Sequence, residues 1–152
     1  MARPKKTGLD YFPLDVDLFS DDKFVEVAAE HGSMEAGYIV TRLLCELYRV
    51  GYCYRWSGKT ASVFAFKIGV APELAASVVD GLLDAEFFNK EIYKAHGVLT
   101  SKGIQRRFLH ITRGRVECEI KDSYSLLNEK KVKESKVKYP RRGGRMSVSD
   151  IN

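Results

Sequence analysis

The side chains able to do chemistry are few and scattered. His31, His96 and His110 stand far apart, and none has a second His, a Cys or a carboxylate at a spacing such as HxxxH or HExxH that gathers ligands on one helix face. Asp15 and Asp17 lie two apart and Asp21 and Asp22 are adjacent, the kind of acid density a metal-dependent nuclease uses to hold a divalent cation. An extended segment followed by a helix start accounts for the same acids, because the first helical turn favours negative charge. Cys45, Cys53 and Cys118 make an odd set without paired-ligand spacing, so they indicate neither a disulfide framework nor a zinc site. Gly143-Gly144 lacks both a preceding strand and a following Lys-Ser/Thr, so it is no phosphate cradle. No catalytic set, metal site or cofactor motif emerges, and the expectation is a non-catalytic protein without a cofactor.

What remains is charge. Residues 1–100 carry 11 Lys/Arg against 14 Asp/Glu, whereas residues 101–152 carry 14 against 6, so the surplus of the +5 chain sits in its last third. Lys and Arg that neutralise phosphates release counterions, and this term supplies most non-specific affinity for nucleic acid. The alternative is a solvated linker. Candidate phosphate contacts are Arg3, Lys5 and Lys6 near the start, Lys59 and Lys67 in the middle, and Lys102, Arg106, Arg107, Arg113 and Arg115 in the basic third. Arg106 to Arg115 span about two to three turns at roughly 3.6 residues per turn, enough for a stripe that tracks phosphates.

The elements that position these groups follow from periodicity. Residues 1–8 read as a loose basic arm. The segment GLDYFPLDVD, residues 8–17, contains Pro13, which forbids a helix interior, and offers Tyr11, Phe12, Leu14 and Val16 as apolar anchors for an extended strap. Ser20 is the expected cap of a helix over 21–30, and Ser33 that of a long helix over 34–50 closed by Gly51. Tyr52-Cys53-Tyr54-Arg55-Trp56 has the composition of a strand; its three alternate aromatics serve either as a stacking platform or, more economically, as core. Short helices over 59–68 and 73–84, joined through Gly69 and opened by Pro72, form a helix-turn-helix pattern. Strands over 86–88 and 98–100 flank a small helix capped by Asn89. Ser101 caps a last helix with Ile104, Phe108 and Ile111 inward. The order predicts a mainly α protein with a small β-sheet: a winged helix-turn-helix over 9–113 with an N-terminal strap and extra helices. A helical extension over 114–127 follows, then a lysine-rich low-complexity tail or linker over 128–152, where KVKESKVK repeats internally.

Three stretches, GLDYFPLDVD, YIVTRLLCELYRVGYCYRW and GVLTSKGIQRRFL, together resemble the amino-terminal domain of phage replisome-organiser proteins, an incompletely characterised family related to the winged-helix domains of DnaD-type primosome proteins. The resemblance spans roughly residues 8–110. It implies a winged helix that binds DNA or assembles at a phage or mobile-element replication origin, at times followed by a lysine-rich linker and a second domain. It implies no enzyme activity and no agreed set of DNA-contacting residues.

The expected recognition helix raises a difficulty. Its polar side offers Glu73, Ser77, Asp80 and Asp84 and no Lys or Arg, so of these only Ser77 is a candidate DNA contact and the acids repel phosphate. Two readings therefore stand: a DNA-binding replication-initiation domain using phosphate contacts, and a module for self-association or for docking replication proteins. No apolar run approaches the ~18 residues of a membrane span and the basic start lacks an apolar h-region, so the expectation is a cytoplasmic protein with no membrane partner.

Overall fold

The computed structural model describes residues 7–115 and 120–127. They form six α-helices and a two-stranded antiparallel sheet. The chain enters along an extended strap that ends in a 3-10 turn at Leu18–Ser20. Asp21 caps α1 (Asp22–His31), its carboxylate accepting from the Lys23 N–H at 2.9 Å. The cap is therefore Asp21 and not Ser20, which is taken up by the preceding turn. After Gly32 comes α2 (Ser33–Val50), with Ser33 inside the helix; it buries Ala36, Ile39, Val40, Leu43, Leu44, Leu47 and Tyr48 along one stripe and forms the spine of the core.

The strand β1 (Tyr54–Arg55) leads to α3 (Gly58–Ile68), opened by a capping box in which Ser57 Oγ accepts from the Thr60 N–H and Thr60 Oγ1 accepts from the Ser57 N–H. Gly69 ends α3 in the left-handed region at φ 79°, and Pro72 opens α4 (Pro72–Asp84). Across this connection the chain changes direction by 116°. The last elements are α5 (Lys90–His96), capped by Asn89, β2 (Val98–Leu99), and α6 (Lys102–Ile111), capped by Ser101. β1 pairs with β2 so that Tyr54 faces Leu99 and Arg55 faces Val98. Tyr54 and Trp56 pack edge-on against Phe64 of α3, so these aromatics fill the core and are no stacking platform.

Three expectations need correction. The segment 86–88 is a turn: Glu86 adopts φ 62°, and the N–H groups of Glu86 and Phe87 return to the carbonyls of Leu83 and Leu82, closing α4. The apolar signal there reports the burial of Phe88, and only the Asn89 N–H reaches across, to the Thr100 carbonyl at 2.8 Å. Of the strap anchors, Phe12 holds, stacked on Tyr48 at 4.7 Å beside buried Leu9, but Tyr11, Leu14 and Val16 are exposed. With Phe12 inward its neighbour Tyr11 points the other way along the extended backbone, and a turn at 15–18, closed by the Leu18 N–H on the Asp15 carbonyl, interrupts the strap at Val16. The described part of 114–127 is not helical. Gln105, fully buried on α6, donates to the Tyr124 carbonyl at 2.7 Å and accepts from the Leu126 N–H at 2.8 Å, so these backbone groups bond a side chain in place of a helical neighbour. The basic arm at 1–6, Cys118 and the tail at 128–152 lie outside the described residues.

Candidate nucleic-acid interface

α6 presents the basic third of the chain to solvent because Ile104, Gln105 and Phe108 bury its opposite side. Ser101 Oγ accepts from the Ile104 N–H at 3.2 Å and fixes the first turn, leaving Lys102 and Arg106 exposed. Arg107, one residue round the helix, is half-buried and turned towards the strap, 4.0 Å from Asp15. Its guanidinium also lies beside the Tyr48 hydroxyl. Burial raises the Tyr48 phenol above its usual value, and Arg107 offsets part of that shift. Arg115 donates to the Gly8 carbonyl at 2.9 Å and so ties the end of this region to the strap. Arg113 is exposed. The four arginines therefore do not act as one solvent-facing stripe: Arg107 and Arg115 hold the strap.

Lys59 stands exposed on the first turn of α3. Lys67, on the last, is bound at 3.1 Å to Glu46, a buried carboxylate that Arg49 meets from its other oxygen at 3.4 Å. Desolvating a carboxylate is costly unless paired, so the charge of Lys67 is committed to the fold. Ser77 is exposed on α4, its hydroxyl 3.5 Å from His31 Nε2 on α1, and is flanked by exposed Glu73, Asp80 and Asp84. Ser77 thus sits beside α1 on an acidic helix face. Arg3, Lys5 and Lys6 lie outside the described residues.

Sequence reasoning missed a second basic group, around the β1–β2 ladder. Arg55 alternates with inward Tyr54 and Trp56, a signal available from strand parity alone. Lys121 approaches from the segment pinned by Gln105, its N–H donating to the Tyr52 hydroxyl at 2.8 Å and its ammonium lying 5.0 Å from the Tyr124 ring. Tyr124 in turn packs edge-on against His96, at 4.9 Å, and Lys94 is exposed on the same short helix. Arg55 and Lys121 both act on Cys53: burial raises its thiol above the usual value, and the two cations pull it part of the way back.

Between the strap, α2 and the start of α6 lies a groove of about 690 Å³, lined by Phe12, Leu18, Tyr48 and Ile104 with charges of both signs at its rim. Among the described residues no three His, Cys, Asp or Glu side chains gather as a metal site, and Asp15 and Asp17 serve the strap turn instead. No single helix among them is long and apolar enough to cross a membrane.

Fold and surface define a class: a small, mainly helical domain whose candidate site is a set of exposed cations. The chain belongs to the family described as Lin1244/Lin1753-like, N-terminal, whose model matches residues 11–104. It is 33% identical over 133 residues to an uncharacterized phage-related protein, Lin1244/Lin1753, of Listeria innocua, an alignment covering 87% of this chain and 43% of that relative. The chain thus spans less than half the length of the curated relative it matches. No solved structure matches.

Proposed function

We propose that this chain is a non-catalytic winged-helix domain that binds DNA through phosphate contacts, within a phage or mobile-element replication-initiation protein of the replisome-organiser, DnaD-like kind. It acts in the cytoplasm without a cofactor. The observation that carries the reading is the set Arg55, Lys59, Lys94, Lys102, Arg106 and Lys121: all are exposed, and among the described residues none is held in an ion pair. Unpaired surface cations release counterions on meeting phosphate, whereas cations already neutralised by carboxylates do not. The 116° change of direction between α3 and α4 is that of a helix-turn-helix, which supports the winged-helix reading, and the antiparallel ladder between the strand before α3 and the strand after α5 supplies a small sheet beside it. The acidic exposed side of α4 argues against base reading through that helix, so affinity depends on the backbone more than on sequence. The relative's description as phage-related supports the setting.

The test is a fluorescence-anisotropy titration of duplex and single-stranded DNA at two salt concentrations. Changing Arg55, Lys102, Arg106 and Lys121 together to Gln is expected to weaken binding and to lower the log–log salt slope by about 0.9 for each duplex phosphate that is no longer neutralised. Absence of binding at low salt, or an unchanged slope in the variant, defeats the reading.

A further inference from the structure

Two exposed apolar surfaces of this chain carry opposite charge. The first is the outer stripe of α3. Burial of Ala61, Phe64, Ala65 and Ile68 turns Lys59, Val63, Phe66 and Lys67 outward, and Phe66 is 90% exposed. α3 contains no Asp or Glu. The second is the strap, where Tyr11 is 80% and Val16 92% exposed, with Leu14 and Phe19 nearly half exposed. Residues 7–22 hold five Asp and no Lys or Arg. Each surface keeps large apolar side chains in water at an unfavourable roughly 25 cal/mol per Å², and contiguous patches of this kind mark interaction sites.

We propose that the strap of one copy of this chain docks on the outer face of α3 of a second copy. Charge decides the partner. On α3, Glu46 holds Lys67, so Lys59 supplies the unpaired charge; on the strap, Arg107 reaches Asp15 and Asp21 caps α1, while Asp17 and Asp22 stand in no ion pair among the described residues. An acidic apolar segment thus faces a basic apolar helix, with Val63 and Phe66 as the central contact and the charges at the rim, the usual anatomy of an interface. The dimensions agree: the stripe from Lys59 to Lys67 is about 12 Å long at roughly 1.5 Å per residue, and extended backbone from Tyr11 to Val16 covers up to about 17 Å. Because donor and acceptor are different patches of the same chain, the contact is heterologous. It stands independently of DNA binding, since Lys59 alone belongs to both surfaces.

The test uses sedimentation velocity on the full chain over a range of concentrations and at two salt concentrations. Wild type is expected to self-associate, more weakly at high salt. An acceptor-defective variant, Phe66→Ser, and a donor-defective variant, Tyr11→Ser with Val16→Ser, are each expected to associate about tenfold or more weakly when alone. Mixed in equal amounts they form a one-to-one dimer, because one intact donor then meets one intact acceptor. These side chains lie outside the core, so circular dichroism melts stay near wild type. A second acceptor variant, Lys59→Glu, is expected to be rescued by a donor carrying Asp17→Lys. A wild type that stays monomeric throughout, an oligomer indifferent to both variants, or a mixture that fails to pair overturns the proposal. DNA titration of the Phe66→Ser variant keeps this outcome separate from the DNA reading.

Discussion

Replacing Gln105 by Leu isolates what one buried amide contributes. In the wild type its carboxamide donates to the Tyr124 carbonyl and accepts from the Leu126 N–H, and it also lies 3.3 Å from Thr100 Oγ1. Leu keeps most of the volume, so the cavity contribution is small and the loss is that of two hydrogen bonds to backbone and a longer one to Thr100. If water reaches Tyr124 and Leu126, each costs about 1 kcal/mol; if the segment stays dry, each orphaned group costs about 1–3 kcal/mol. Both residues are half-buried, so the segment has a third course, to leave. That caps the global loss at about 2–3 kcal/mol and moves the remainder into local opening. Amide hydrogen exchange read residue by residue, with a urea melt alongside, separates the cases. The expected result is a modest fall in the melt midpoint and a large loss of protection at Leu126, while the amides of α6 keep theirs. Unchanged protection at Leu126 refutes the argument, because it means that groups other than Gln105 hold the segment.

Three further outcomes follow. A Cβ on Gly8 would overlap the Arg49 carbonyl, so Gly8→Ala is expected to cost about 2–4 kcal/mol in a denaturant melt and to loosen the strap. Lys67→Ala is expected to lower stability by about 1–2 kcal/mol, since it strips a half-exposed partner from buried Glu46, and to leave DNA affinity nearly unchanged; Arg106→Ala is expected to do the reverse, measured by melt and anisotropy together. Burial holds the phenols of Tyr48, Tyr52 and Tyr54 above the ordinary value of 10.0. Their folded values exceed their unfolded ones, so the stability they contribute is complete below about pH 10 and is lost as pH rises through the folded values. Phenolate absorbance should then show a late-titrating group of tyrosines appearing together with unfolding.

The later helices were legible because they are punctuated: Asn89 and Ser101 cap, Gly51, Gly69 and Gly97 stop, and Pro72 opens α4, whereas the caps expected at Ser20 and Ser33 each fell one residue off. The stripe of α2 announced its own burial. Strand 86–88 misled because two adjacent phenylalanines read as β-composition, while the left-handed Glu86 that sets the turn leaves no sequence mark. Exposure of Val16 was equally hidden, since a turn set by the Asp15 carbonyl interrupts the strap there. For the candidate site, local sequence identified cations and said nothing of their partners. Glu46 lies 21 residues from Lys67, and Gly8 lies 107 from Arg115, separations at which no periodicity argument operates. Lys121 was overlooked because its position depends on Gln105, a glutamine on another element.

The hydrogen bond from Arg115 to Gly8 joins the two ends of the described helical unit, beyond holding the strap in place. Residues 8 and 115, 107 apart in sequence, are therefore neighbours in space. Units whose distant residues meet in this way tolerate circular permutation, because the new junction has little distance to span. A permutant of the described unit joined at this contact and opened at the exposed Gly69–Ala71 connection would keep the packing of the helices while changing their order, which makes it a control for how much of the fold depends on the direction in which the chain is threaded.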